Sequence, residues 1–412
     1  MAFHVVNEAR RCLNCRNPQC RKGCPVNTSI PEMIQLFLNG QIDQAGKMLF
    51  ENNPLSIVCS LVCDHEKQCE GHCILGRKGA PVQVSSIENY ISEHYLDKLR
   101  PSPALERKNT QAAIIGAGPA GITIAVELAR RGYGVTLFDS KDQIGGVMRY
   151  GIPAFRLPRS ILDRYCELLG KMGILIRMNT AIGLTISLDD LFRDGYTAVF
   201  VGTGVWRPRS LGIPGESLGN VHYAINYLCH PESYSLGDRV AVIGAGNSAM
   251  DVARTAIRQG ARYVTCYARH ENISASRLEM DYALADGVQI ECGKIPVRIT
   301  PQGPILADTV TSENGKLTCL SGTEKLYPAN STIISVGQGP RDRIVSTTKG
   351  LEVNSTGLLM VDEQGATTRK GVFASGDVVL GAKTVVEAVR YSKLVAQAMD
   401  EYMQSTSLEG KE

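Results

Sequence analysis

Residues 112–121, AAIIGAGPAG, and residues 240–249, VAVIGAGNSA, are two copies of one design. Each begins with an apolar run, Ala112 to Ile115 or Val240 to Ile243, and turns through glycines into a helical pattern. Apolar residues recur at Ile122, Ala125, Val126 and Ala129 in the first copy, and at Ala249, Val252, Ala253 and Ala256 in the second. That is the spacing of an amphipathic helix. Strand, glycine turn and helix in this order predict a Rossmann-type unit, so the chain is expected to be α/β with two such domains.

The glycines fit an anion site. Gly116 and Gly244 permit a tight turn; Gly118 and Gly246 let the backbone approach a pyrophosphate. Gly121 and Ala249 allow the helix to pack closely on the strand. The anion then rests on a helix N-terminus, where unpaired N–H groups and the helix dipole favour it. The strands that follow differ. VTLFDS places Asp139 at a strand end, where a carboxylate can accept hydrogen bonds from ribose hydroxyls. VTCYARHE places Ala268 there instead, followed by Arg269. The first site is therefore expected to hold a flavin dinucleotide and the second a nicotinamide dinucleotide. Gly244, Gly246, Asn247, Ser248, Ala249 and Arg269 are the candidate contacts of the second.

The cysteines point to a further carrier. Eight of the 13 fall within the first 73 residues, where chain-average density would place about 2. Cys12, Cys15, Cys20 and Cys24 form C-x2-C-x4-C-x3-C-P, and Cys59, Cys63, Cys69 and Cys73 form C-x3-C-x5-C-x3-C. The first run is close to the bacterial ferredoxin pattern, in which the fourth cysteine ligates the other cluster. By that logic Cys12, Cys15 and Cys20 share one iron–sulfur cluster and Cys24 crosses to a second. Eight thiolates would fill two four-ligand sites; structural zinc is the alternative, since four cysteines also make a tetrahedral zinc site. The remaining cysteines, 166, 229, 266, 292 and 319, are scattered and expected in the core. No C-x-x-C lies in the dinucleotide-binding parts, which argues against thioredoxin reductase chemistry.

Bulk properties exclude other classes. A net charge of +3 without a basic run gives no nucleic-acid footprint. No apolar stretch approaches the roughly 20 residues of a membrane span. MAFHVVNEARRC has no hydrophobic core of a signal peptide, so a cytoplasmic, reducing location is expected. The expected domains are a helical cysteine-rich domain (1–109), a first part of the flavin domain (110–235), the nicotinamide domain (236–334) and a second flavin part (335–412). The linker PSPALERKN (101–109) separates the first two, the tail STSLEGKE (405–412) is expected to fray, and Trp206 is expected under the flavin domain.

Three longer stretches carry a resemblance. GGVMRYGIPAFRLP (145–158), FVGTGVWRPRSLGIPGE (200–216) and GVFASGDVVLGAKTVVEAV (371–389) resemble the family of the glutamate synthase small subunit and the N-terminal part of dihydropyrimidine dehydrogenase. The resemblance covers nearly the whole chain. It implies FAD held by Gly116, Gly118, Pro119, Ala120, Gly121, Asp139, Gly146 and Arg156, completed by Gly376, Asp377, Thr384 and Val385. The FAD domain is then discontinuous, with the nicotinamide domain inserted. The resemblance also implies two 4Fe-4S clusters: Cys12, Cys15, Cys20 and Cys73 hold one; Cys24, Cys63, Cys69 and Glu88 hold the other, leaving Cys59 as a spare buried thiol.

Nicotinamide chemistry moves two electrons together, clusters accept one at a time, and a flavin does both. The expected order is therefore NAD(P)H, FAD, cluster, cluster. No acid–base residue for substrate chemistry is evident, so no catalytic side chain is assigned. The expectation is an NAD(P)H-dependent electron-transfer subunit that works with a partner catalytic subunit. That partner is of the glutamate synthase, dihydropyrimidine dehydrogenase, or hydrogenase or sulfide-linked type. The alternative is a stand-alone diaphorase acting on ferredoxin or a small acceptor. NADH is expected over NADPH, because relatives using NADPH carry paired basic residues where this chain has Ala268 and Arg269.

Overall fold

The computed structural model describes residues 2–99, 107–311 and 317–409. Residues 101–106 of the expected linker and 410–412 of the expected frayed tail lie outside the described residues. The chain divides into two compact units: Met1–Arg149, Ala154–Val205 and Pro340–Glu412 form one, and Tyr150–Pro153 with Trp206–Gly339 form the other.

The first unit opens with six helices: α1 (Ala2–Arg10), α2 (Gln19–Gly23), α3 (Ile30–Leu38), α4 (Ile42–Asn52), α5 (Ser56–Val62) and α6 (Val84–Lys98). Their apolar faces meet in a core of Val5, Ile30, Met33, Ile34, Leu49, Ile87 and Ile91. Each of these large side chains, removed from water, contributes about 1.5–3 kcal/mol. The chain continues through β1 (Gln111–Ile115), α7 (Pro119–Arg130), β2 (Gly134–Phe138), α8 (Val147–Tyr150), α9 (Arg159–Lys171), β3 (Leu175–Arg177), α10 (Leu188–Arg193) and β4 (Tyr196–Val201).

The second unit contains β5 (Arg207–Pro208), β6 (Val221–Tyr223), α11 (Ala224–Cys229), β7 (Arg239–Ile243), α12 (Asn247–Arg258), β8 (Tyr263–Tyr267), α13 (Arg277–Ala285) and β9 (Gln289–Glu291). An antiparallel sheet follows, from β10 (Lys294–Thr300), β11 (Gly303–Thr311), β12 (Leu317–Cys319) and β13 (Lys325–Leu326). Then come β14 (Ser331–Ile334) and β15 (Gln338–Gly339). The chain returns to the first unit with α14 (Arg343–Ser346), β16 (Val372–Ala374), α15 (Asp377–Leu380) and α16 (Val385–Glu409).

The two glycine-rich copies head equivalent sheets. In the first unit the strand order is β16-β4-β1-β2-β3, and in the second β6-β14-β7-β8-β9. All pairings within both are parallel. The first strand of each copy, β1 or β7, is central and buried on both faces, as its unbroken apolar run requires. Each helix after the turn is entered without a side-chain cap, from Gly118 or Gly246. Its first N–H groups are thus left for a ligand.

Residues 206–235 belong to the second unit, where β6 pairs with β14 and β5 with β15. Trp206 stacks edge-on against Tyr150 of that unit, with ring centroids 6.5 Å apart. Two expectations are corrected. Of the five scattered cysteines only Cys266 is a core thiol; Cys166 and Cys319 are exposed, and Cys229 and Cys292 are partly so. The tail is not frayed from 405, since α16 continues to Glu409.

The cysteine-rich helices belong to the same unit as the first Rossmann sheet. Tyr165 of α9 donates to the Pro54 carbonyl at 2.5 Å, and Arg164 pairs with Glu93 and Asp97 of α6 at 2.8 and 2.7 Å. Lys393 of α16 donates to the backbone carbonyl of Asn52 at 2.6 Å.

Candidate functional site

Four cysteines from three segments line one pocket. Cys12 follows α1, Cys15 follows a left-handed Asn14 (φ +48°), Cys20 lies in α2, and Cys73 precedes a short turn of 3-10 helix. Leu13, Ile30, Ile34, Ile74, Leu75, Val82 and Val84 complete the wall. Arg11 pins the rim: its guanidinium pairs with Glu8 and donates to the Pro81 and Ala80 carbonyls. The Cys20 thiol is raised to about 11, first by burial and then by Cys12, Cys73 and Cys15, against a backbone hydrogen bond from Arg21. Cys12 is raised by burial and by Cys15 and Cys73. Four thiolates coexist here only around a strongly positive centre, which is what a coordinating metal group supplies.

A second group lies deeper. Cys24 ends α2, Cys63 ends α5, Cys69 is buried in the loop beyond, and Glu88 sits on α6. Burial is the largest influence raising Cys24, and Glu88 adds to it. Cys69 is pushed well up by burial, then by Glu88, Glu70 and Cys24. Cys63 is raised first by hydrogen bonding to Cys59, then by burial, Cys59, Glu88 and Cys69. The Glu88 carboxyl is pushed up to about 8 by burial and then by Glu70, with no cation offsetting either. A buried carboxylate without a cationic partner is costly. Iron would supply that charge, so the donor set of three thiolates and one carboxylate fits a cluster.

Among the described residues no three His, Cys, Asp or Glu side chains are placed to hold a single metal ion. Cys59 is buried one helical turn before Cys63, within its own helix. Burial lowers the His65 pKa against the opposing charges of Glu70 and Asp64, and His72 is exposed and bonded to the Gln68 carbonyl.

The candidate FAD residues converge on the start of α7. Gly116 adopts φ +107°, and a Cβ there would stand 2.4 Å from the Gly202 carbonyl oxygen. Asp139 accepts from the N–H of Ala117 at 2.7 Å and of Lys141 at 2.9 Å, which fixes its carboxylate beside the glycine turn. Gly146, at φ +51°, lies so close that a Cβ would be 2.7 Å from the Gly118 Cα. Gly376, at φ +77°, leaves 3.0 Å between a Cβ and the Ala120 side chain. Asp377 follows it; burial raises this carboxyl to about 6, against the opposing hydrogen bond from the Lys383 N–H. The Thr384 hydroxyl and N–H both donate to Glu387, closing a capping box, so its polar groups serve α16. Val385 begins that helix, and Arg156 is partly exposed between Phe155 and buried Leu157.

The second cradle repeats the plan within its own unit. Gly244 adopts φ +131°, with the Ser335 carbonyl oxygen 2.2 Å from where a Cβ would be. Asn247 accepts from the Ser276 N–H at 2.8 Å, Ser248 is exposed, and Ala249 is buried against the strand. Ala268 is buried, with its N–H and carbonyl bonded to Glu291 and Lys294. Arg269 is exposed, and its carbonyl accepts from the Thr309 hydroxyl at 3.2 Å.

Sequence reasoning missed the polar residues behind these sites. Thr28 lies beside Cys24, Asn52 beside Thr28, and Lys393 beside Asn52. Ser276 supports Asn247, and Ser85 fixes Glu70 through its N–H at 2.8 Å and hydroxyl at 2.7 Å. Apart from Thr28, four residues from Cys24, each meets a partner from another segment, which spacing does not reveal.

Two glycine-turn dinucleotide cradles on parallel sheets, preceded by a cysteine-ringed helical domain, define an oxidoreductase that uses FAD, a nicotinamide dinucleotide and iron–sulfur chemistry. The chain belongs to the pyridine nucleotide-disulphide oxidoreductase family, whose model matches residues 110–399, in the branch that holds glutamate synthase small chains. Residues 2–99 match dihydropyrimidine dehydrogenase domain II, 4Fe-4S cluster. The glutamate synthase (NADPH) small chain of Halomonas elongata is 34% identical, over 96% of this chain and 90% of the relative. The NAD-dependent dihydropyrimidine dehydrogenase subunit PreT of Escherichia coli K12 is 33% identical, over 97% of this chain and 94% of the relative. Among solved structures, Mycobacterium tuberculosis FprA in complex with NADPH shares the fold, with a TM-score of 0.61 at 16% identity over 74% of this chain and 86% of that one. Among the described residues no helix is long and apolar enough to cross a membrane.

Proposed function

We propose that this chain is the cytoplasmic electron-transfer subunit of a larger oxidoreductase, carrying electrons between NAD(P)H and a partner catalytic subunit. When bound, FAD takes two electrons from the nicotinamide, and two 4Fe-4S clusters carry them singly. Cys12, Cys15, Cys20 and Cys73 hold one cluster; Cys24, Cys63, Cys69 and Glu88 hold the other. The start of α7, with Asp139, Gly146, Gly376 and Asp377, holds FAD. The turn from Gly244 to Ala249, with Arg269, holds the nicotinamide dinucleotide.

The observation that carries this reading is the pairing of two separate four-donor groups with a flavin cradle in one compact unit. The deeper group is linked to α16 through Thr28, Asn52 and Lys393, while the Cys12 group opens toward the surface. Relatives named as a small chain and as a subunit support a partner. NADH is favoured over NADPH, because buried Ala268 stands where a second cation would meet a 2′-phosphate.

Purification of the native protein from its source tests the partner. A stoichiometric second subunit is expected. A homogeneous single-chain enzyme that reduces ferredoxin at full rate would replace this reading with the diaphorase.

A further inference from the structure

The pocket formed by Cys12, Cys15, Cys20 and Cys73 has an uncommon rim. Residues 9–24 and 71–87, which supply these cysteines, contain seven Arg or Lys residues and no Asp or Glu. Arg11 is paired with Glu8. The other six, Arg10, Arg16, Arg21, Lys22, Arg77 and Lys78, are exposed and form no ion pair among the described residues. The whole chain carries only +3, so this cationic density is local rather than a property of the protein at large. The exposed acid nearest in sequence is Glu66, on the loop leading to Cys69.

Two apolar side chains lie between these cations along the chain. Leu13 is 58% exposed and Ile74 is 36% exposed, and both line the cysteine pocket. An apolar centre inside a charged rim is the anatomy of a protein–protein contact. Local charge of one sign steers a complementary partner and accelerates encounter.

We propose that this face, centred on Leu13 and Ile74 and rimmed by Arg16, Arg21, Lys22, Arg77 and Lys78, docks an acidic surface of a redox protein or subunit. It rests on the reading that the four cysteines hold a cluster. The apolar centre lines the same pocket as the four cysteines, and the cations hold the partner's carboxylates around it. Each transfer moves one electron: the protein on one side of the contact is oxidised by one equivalent and the other reduced, with no bond made or broken and no proton required. The stated occupant is protein, since the apolar centre has no match on a nucleic-acid backbone.

The test uses the holoprotein under anaerobic conditions and an acidic ferredoxin, pre-reduced with dithionite, as the probe. Stopped-flow mixing reads the second-order rate of electron entry. Raising ionic strength from about 20 to about 300 mM should lower that rate tenfold or more, because screening shortens the reach of the surface charges. The double variant Arg77→Glu with Lys78→Glu should lose about tenfold at low salt and show little salt dependence. The same variant, once reduced, should pass electrons to basic cytochrome c faster than the unaltered protein does. Reduction of the flavin by NAD(P)H should be unchanged. A rate with ferredoxin indifferent to both salt and charge reversal overturns the docking surface. Iron and flavin content of the same samples separates the two failures: missing iron contradicts the cluster reading beneath the proposal, whereas full content with salt-independent transfer contradicts the surface alone.

Discussion

The Thr28 hydroxyl lies 3.4 Å from the Cys24 sulfur. Its oxygen accepts from the Asn52 side-chain amide at 3.1 Å, and that amide's oxygen accepts from Lys393 at 3.2 Å. A cysteine bound to iron as thiolate has no proton to give, so Thr28 must then be the donor. Hydrogen bonds to ligating sulfur stabilise the more negative, reduced cluster and raise its potential. Thr28→Val keeps the shape and removes the donor. One net hydrogen bond of about 0.5–1.5 kcal/mol corresponds to about 20–60 mV for one electron. Redox titration followed by electron paramagnetic resonance should show one cluster lowered by that amount, and Thr28→Ser should restore it. A Thr28→Val protein with both potentials unmoved would show that Thr28 only packs.

Cys59 and Cys69 are both buried, yet opposite outcomes are expected on replacing them. Cys69→Ser should lose about four irons, the content of one cluster. Cys59→Ser should retain them all, and Glu88→Ala should destabilise the same cluster that Cys69 serves. Iron analysis with spectroscopy of the reduced variants decides the matter. Loss of a cluster in Cys59→Ser with retention in Glu88→Ala would exchange their roles.

Gly146→Ala should empty the flavin site. Its backbone sits at φ +51°, and a Cβ would press to 2.7 Å on the Gly118 Cα. The neighbour is main chain, so relief must come from moving the turn on which a pyrophosphate rests. A side chain forced into the left-handed region adds roughly 1–2 kcal/mol. FAD content should fall severalfold while iron content stays near normal. Full FAD loading in Gly146→Ala would contradict the placement of the cofactor at α7.

The proposed preference for NADH rests on Ala268 and Arg269. A lost charge-assisted hydrogen bond to a 2′-phosphate costs roughly 1.5–3 kcal/mol, or about 10- to 150-fold in affinity. Arg269 is exposed and available for one such bond, but buried Ala268 supplies no second. Steady-state reduction of an artificial acceptor should give a higher kcat/KM with NADH. If NADPH proves better, Arg269→Ala should abolish its advantage.

What the sequence made legible was local. The turns at Gly116 and Gly244 are short-range structures written in consecutive residues, and both occur where expected, with the positive φ that glycine supplies. The grouping of Cys73 with Cys12, Cys15 and Cys20 is a tertiary fact, as is the burial of Glu88 among Cys24, Cys63 and Cys69. Spacing alone leaves Cys59 and Glu88 undecided; only the family resemblance put the carboxylate forward. The Lys393–Asn52 contact joins residues 341 positions apart, beyond any periodic signal. β5 and β6 are two and three residues long, too short to show alternation in the sequence.

Metal and flavin content of the anaerobically purified or reconstituted protein tests the central claim most directly. The account predicts about eight irons for each FAD, the content of two four-iron clusters, with no stoichiometric zinc. About four irons per FAD, or zinc in place of iron, would contradict it.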